Sequence, residues 1–234
     1  YTPEEIKEIC KEKYKKILKI RKKVLCQMAI NFLLHKETRV EGIIDGKLVE
    51  NFINEAAKEK GKNIIADFKE KQLAIATVDT ISMKECLFIS NEIKDKGENI
   101  EYITDINIGK AVRSSMAFPA IFTTSNYEKY NFIDGGTVDN LPVQVLKDMG
   151  ATKTIAISFD LNKYTPSKSL EGVLVRALDI FSHSGVEKAR ELADIAIEIY
   201  NPDTSLLSMD EIEKTIENGY NAVMEQREKI TEEI

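Results

Sequence analysis

Two stretches of the sequence combine residue types that could do chemistry. One is Phe132-Ile133-Asp134-Gly135-Gly136-Thr137-Val138-Asp139-Asn140-Leu141-Pro142. An acid closing a short apolar run and followed by two glycines reads as a carboxylate at a strand end, where α/β folds place their sites. Asp134 could there accept a proton, while Gly135 and Gly136 let the chain turn sharply and let another group come close. The plainer alternative is a solvated Asp in a turn, since Asp-Gly is a common turn dipeptide. The other stretch is Arg113-Ser114-Ser115-Met116-Ala117-Phe118-Pro119-Ala120-Ile121-Phe122, a short way upstream. Ser115 could line a site with Pro119 beside it, or simply cap and pack. For Asp139 and Asn140, a turn and cap ahead of Pro142 is simpler than contact with a substrate.

Together the two stretches resemble the patatin-like phospholipase family, in which an R-x-S-x-A-x-P-x-x-F segment precedes a strand ending in D-G-G or D-G-A and then V-D-N-x-P. Arg113, Ser115, Ala117, Pro119 and Phe122 match the first pattern. Asp134, Gly135, Gly136, Val138, Asp139, Asn140 and Pro142 match the second. The resemblance implies a three-layer α/β sandwich with a mostly parallel central sheet, its order of elements running from Thr2 to the last helix. It also implies a Ser-Asp dyad. A serine on a G-x-S-x-G elbow attacks an ester carbonyl, Asp134 is the base, and an upstream glycine-rich loop supplies the oxyanion donors. A serine hydroxyl is a weak nucleophile without such a base, and the donors must point where negative charge develops. Gly135, Gly136, Ser115 and Pro119 would shape the site.

The sequence departs from the family at one place. It contains no G-x-S-x-G and no glycine-rich loop. The nearest string, Ser182-His183-Ser184-Gly185, lacks the first glycine and lies in a helical pattern, where neighbours on one turn do not face each other. The chain therefore reads as a single patatin-like domain, residues 1–234, without its N-terminal strand, oxyanion loop and nucleophile elbow. A Tyr at position 1 makes truncation the expectation. The bacterial-type acyl-ester hydrolase would then take its serine from the missing segment. The rival is a non-catalytic patatin-like module that binds lipid or protein.

The elements that must hold these stretches are legible in outline. Thr2-Pro3-Glu4-Glu5 starts a helix with a capping box, and Ile6, Ile9, Cys10, Tyr14, Ile17 and Leu18 recur at helical spacing. Leu48, Phe52, Ile53 and Ala56 mark a helix closed by Gly61. Leu73–Val78 and Glu85–Ser90 read as strands of a hairpin turning at Ser82–Lys84. Ile108–Met116 reads as a helix ended by Pro119, and Tyr130–Ile133 as the strand that delivers Asp134. A helix from Pro142 to Gly150, a strand Thr154–Phe159, a polar loop Asn162–Lys168, a helix Leu170–Leu192, a strand Ile195–Tyr200 and a helix from Met209 complete the chain. Strands alternating with helices predict an α/β domain. Leu73–Val78, Glu85–Ser90, Thr154–Phe159 and Ile195–Tyr200 are expected in one sheet, with an open edge beside Asp134 where the family's absent strands would lie.

Composition narrows the partners. The 234 residues carry 33 Lys and Arg against 39 Asp and Glu, a net charge of −6, which argues against a nucleic-acid partner. Cys10, Cys26 and Cys86 are odd in number and far apart. They predict neither a zinc site nor a disulfide frame, and point to a reducing, cytoplasmic compartment. No metal or organic cofactor is expected. The apolar run Val24–Leu34, interrupted by Gln27 and Asn31, is too short to span a bilayer, and no signal peptide is visible. The basic stretch Lys7–Lys23 could make peripheral contact with anionic lipid, but a solvated helix face, with Glu4, Glu5, Glu8 and Glu12 interleaved, is the simpler reading. His35 and His183, the two histidines, read as ordinary residues, because the dyad needs none. The substrate expected is a lipid or other carboxylic ester.

Overall fold

The computed structural model describes residues 1–17, 22–34, 41–93, 96–160, 170–201 and 212–233. His35 and the loop Asn162–Lys168 lie outside them. The chain divides into two compact units, Tyr1–Gly135 and Gly136–Ile234.

The first unit opens with α1 (Pro3–Ile17) and α2 (Lys22–Leu33). The capping box forms as the sequence predicts. Thr2 N–H donates to Glu5 Oε2 at 2.7 Å and Glu5 N–H donates to Thr2 Oγ1 at 3.2 Å. Strand β1 (Gly42–Ile44) leads through Gly46, at φ +70°, into α3 (Lys47–Glu59), and Gly61, at φ +68°, closes that helix. The remaining elements of this unit are β2 (Ala74–Asp79), β3 (Lys84–Ile89), β4 (Ile100–Ile103), α4 (Ile108–Ser115), β5 (Ala120–Phe122), β6 (Ser125–Tyr127) and β7 (Tyr130–Asp134). Five strands form one sheet in the order β4-β3-β2-β7-β6, and β1 pairs separately with β5 in parallel.

The core of this unit gathers Ile65, Cys86, Phe88, Ile106, Ala111 and Phe132, all at or below 1% exposure. The rings of Phe88 and Phe132 meet edge to face, 5.2 Å apart at 88°, and Tyr130 stacks on Phe132 at 5.3 Å. Burial raises the Cys86 thiol to about 11, so it sits there as a small hydrophobe.

The second unit holds α5 (Val143–Asp148), β8 (Ile155–Phe159), α6 (Leu170–Leu192), β9 (Ile195–Ile199), α7 (Ile212–Glu225) and α8 (Arg227–Glu233). Strands β8 and β9 pair in parallel from Ile155↔Ile195 to Phe159↔Ile199. Leu141, Val143, Ala156 and Val186 form the core here. The buried Arg190 of α6 donates to Ser158 Oγ and pairs with Glu187 and Glu198, at 2.7 and 3.1 Å.

The α/β class is as expected; the sheet is not. It is mixed rather than mostly parallel. Within the five-stranded sheet only β3 and β4 run parallel, while β2–β3, β2–β7 and β6–β7 are antiparallel. Short connections account for β2–β3 and β6–β7, since hairpins give antiparallel neighbours whereas parallel ones need a crossover. The turn from Asp79 to Lys84 places Met83 at φ +57°, and the link from β6 to β7 places Glu128 at φ +50°. Nor do the four named strands share a sheet. Among the described residues β8 pairs with β9 alone, apart from β2 and β3. The strands that sequence pattern missed, β1, β4, β5 and β6, have three or four residues each, too few to display a period. The last helix is two, α7 and α8.

Replacing Phe132 by Ala empties the centre of the first core. A loss of about 3–5 kcal/mol in unfolding free energy is expected, the usual result for a buried Phe. Urea denaturation followed by circular dichroism measures it, and a loss under 1 kcal/mol would place the core elsewhere.

Candidate active site

The carboxylate of interest stands at the last position of β7. On one side β7 is in register with β2, with Phe132 opposite Asp79, Ile133 opposite Val78 and Asp134 opposite Thr77. On the other side β6 covers it up to Phe132. Beyond β6, Asp134 N–H donates to the carbonyl of Ala117 at 3.1 Å. The open edge expected beside Asp134 is therefore absent. Both flanks of β7 are strands, and the last backbone donor is taken by the segment that follows α4.

That hydrogen bond joins the two stretches singled out in the sequence. Ser115 is the last residue of α4 and is half-buried; Ala117 is buried; Pro119, half-buried, follows. Ala120 takes φ +66° as the chain turns into β5. The structure thus brings Asp134, Gly135 and the segment carrying Ser115 and Pro119 to one end of β7. Gly136 begins the second unit.

Three groups lock β7 in place. At its start, Asp79 accepts from Asn131 N–H at 2.8 Å and from Ser82 N–H and Oγ at 2.9 and 2.7 Å. Burial works against this charge, but these donors outweigh it and hold the carboxyl below its ordinary value. At its end, the fully buried Thr77 hydroxyl donates to Ile133 O at 2.7 Å. The third group is Gly135 itself. A β-carbon there would lie 2.5 Å from the Ala76 carbonyl carbon and 2.9 Å from Thr77 N. The glycine serves close packing on β2, not an unusual φ. Asp134 is half-buried, at the end of a strand whose backbone these contacts hold in place.

Sequence reasoning missed Thr77, Asp79 and the Ala117 carbonyl. A signal for Thr77 existed, since it is the single hydroxyl in the run Leu73–Val78. Arg113 was matched as a motif letter, but its task is visible in three dimensions alone. At 3% exposure it donates from Nε to Asp45 O at 2.7 Å and from Nη2 to Thr123 O and Oγ1 at 2.7 and 2.8 Å. Burial draws the guanidinium below its ordinary value, countered by Glu50 and Asp45, and its Nη1 has no partner among the described residues. It clips the chain after β1 to the chain after β5.

The weaker candidates settle as plain structure. Asp139 accepts from Leu141 N–H at 3.2 Å in a turn, and burial raises its carboxyl. The helix cap expected of that pair is absent, because Pro142 occupies the cap position of α5. Ser182 is buried and donates to Asp179 O at 3.3 Å, while His183 and Ser184 of α6 are exposed. Among the described residues, no three His, Cys, Asp or Glu side chains gather as a metal site, and no helix is long and apolar enough to cross a membrane.

A family model described as patatin-like phospholipase matches residues 2–147. That span is more than half of the chain and includes both stretches around Asp134. The chain belongs to the patatin-like phospholipase family, whose chemistry is the hydrolysis of lipid esters. The match ends at Lys147, within α5, short of the last helix to which the sequence resemblance extended.

Two outcomes test this account of β7. Gly135→Ala should lower stability by about 1–3 kcal/mol, because the added carbon meets strand backbone that cannot rotate away; chemical denaturation reads it, and an unchanged midpoint would refute the packing role. For Asp79 the native carboxyl titrates below its unfolded value. Its stabilisation is present above about pH 4 and is lost as pH falls through the native value. Asp79→Asn should cost about 2 kcal/mol at pH 7. The gap between variant and parent should shrink as pH falls below about 4 and through the native value; a gap that stays constant on that descent would show that the carboxylate charge is irrelevant.

Proposed function

We propose that this chain is the base-bearing part of a serine acyl-ester hydrolase, with Asp134 as the base of a Ser-Asp dyad and a lipid or other carboxylic ester as substrate. The observation that carries the reading is the junction of the two family stretches, Asp134 N–H on Ala117 O, at the end of a strand braced on both sides. A base that must meet a hydroxyl at about 2.6–3.2 Å needs such a fixed backbone. Residues 1–234 contain no G-x-S-x-G, so the serine belongs to a segment outside them, and the chain is one part of a single patatin-like domain.

In the reaction, the serine Oγ bonds to the ester carbonyl carbon as its proton passes to the Asp134 carboxylate. Amide donors of a glycine-rich loop hold the oxyanion. The proton then goes to the departing alkoxide as the ester bond breaks, leaving an acyl-serine. Water, deprotonated by the same carboxylate, releases the acid and restores the enzyme. Gly135 keeps β2 against the base, and Ser115 and Pro119 line the approach. None of these steps calls for a metal or organic cofactor. The reading assigns the protein to the cytoplasm, in a bacterial setting.

Asp134→Asn keeps size and most hydrogen bonding but removes the base. In the protein translated from the full reading frame, ester hydrolysis should fall by about two to four orders of magnitude, with the unfolding midpoint nearly unchanged. Residues 1–234 alone should hydrolyse an aryl ester at the background rate. Hydrolysis by residues 1–234 that is indifferent to Asp134→Asn would end the dyad assignment, and a full protein without activity would favour a binding module.

A further inference from the structure

Thr77 carries the one hydroxyl in the apolar run Leu73–Val78, and it is wholly buried. A Val there would fill the same space and suit a strand at least as well. Neither shape nor strand preference calls for the hydroxyl. Taking it out of water costs free energy unless it is hydrogen-bonded. Its proton goes to Ile133 O, 2.7 Å away.

That carbonyl belongs to the peptide group from which Asp134 departs. The group is planar, so contacts at its two ends fix its orientation. At one end Ile133 O accepts from Thr77 Oγ1, and at the other Asp134 N–H donates to Ala117 O at 3.1 Å. Beyond Asp134, a β-carbon on Gly135 would lie 2.9 Å from Thr77 N. Thr77 is also the residue of β2 in register with Asp134. Its side chain thus meets the chain before the acid, and its backbone meets the chain after it. Of these contacts, the hydroxyl is the one a substitution can remove without altering main chain.

We propose that Thr77 is a positioning residue for the base. Through the Ile133 carbonyl, its hydroxyl sets the plane of the peptide between Ile133 and Asp134, and so the direction in which the Asp134 carboxylate is presented to the serine. The inference rests on the dyad reading. Asp134 takes the proton, while Thr77, with no exposed surface, acts through the backbone. Proton transfer needs the hydroxyl at about 2.6–3.2 Å from the base, and a misplacement of about 1 Å can cost about a hundredfold in rate. A small tilt of this peptide therefore reads out in the chemical step rather than in substrate binding.

The test measures kcat and KM for an aryl ester, per folded molecule, in the protein translated from the full reading frame. Thr77→Val keeps the shape and removes the hydroxyl, whereas Thr77→Ser keeps the hydroxyl and removes a methyl. Thr77→Val should lower kcat about tenfold, short of the cost of a full 1 Å misplacement, and leave KM within about twofold. Thr77→Ser should retain at least about half of the parent kcat. In the Asp134→Asn background, Thr77→Val should change the residual rate by less than about twofold, because residues that act through one group are not additive. If Thr77→Val does not fold, Thr77→Ala, which also lacks the hydroxyl, takes its place. A hydroxyl-free variant with the parent kcat, whatever its unfolding midpoint, overturns the proposal, and so does an equal fall in Thr77→Ser. Activity lost with Asp134→Asn but untouched by Thr77→Val would remove the positioning role and leave the dyad standing. Activity indifferent to Asp134→Asn, or a full protein with none, would end the dyad reading and the role of Thr77 with it.

Discussion

A buried guanidinium bonded to neutral oxygens sets the geometry of the first unit. Arg113 reaches the carbonyls of Asp45 and Thr123, which end β1 and β5, and it does so from the last turn of α4. A charge taken out of water is costly unless its hydrogen-bonding capacity is used. The fork of an arginine can hold two chain segments at once. The parallel pair of β1 and β5 has three residues on each side and could not stand alone. Held by Arg113, it fixes where the chain leaves α4, and hence where Ala117 presents its carbonyl to Asp134.

The candidate base is positioned by main chain more than by side chains. β7 lies between β2 and β6, its first turn of hydrogen bonds shared with Asp79 and its last with Thr77 and Ala117. This arrangement makes Gly135 a packing requirement. The chain crosses β2 so closely beyond Asp134 that a side chain would meet backbone. A base supported in this way loses little entropy when a hydroxyl is brought to it, the general advantage of a preorganised site.

The two units use different sources of stability. The first has an aromatic and aliphatic core under a five-stranded sheet. The second relies on a parallel pair, β8 and β9, with Ala156 and Val186 beneath it and the ion pairs of Arg190 at its rim. Along β8, Ile155, Ile157 and Phe159 stay exposed on one face while Ala156 is buried on the other. Alternation of that kind is the mark of a strand covered on one side.

The local signals in the sequence were sufficient for the elements with a period or a cap. The capping box of Thr2 and Glu5, the hairpin of β2 and β3, the α4 segment and the long α6 are all readable, because each depends on residues near one another in the chain. Asp134 was legible as a strand-end acid, and its neighbours Gly135, Gly136, Ser115 and Pro119 as motif residues. What no local pattern could decide was pairing. Asp134 opposite Thr77, Ala117 against Asp134, Arg113 across to Asp45 and β8 beside β9 are contacts between distant segments. Their energies depend on which backbones meet, and a hydrophobic period says which face is buried, not which strand lies beside it. The role of Gly135 shows the same division. The sequence determined that a glycine follows the acid, and the tertiary structure decided why, by placing the backbone of β2 where a side chain would have been.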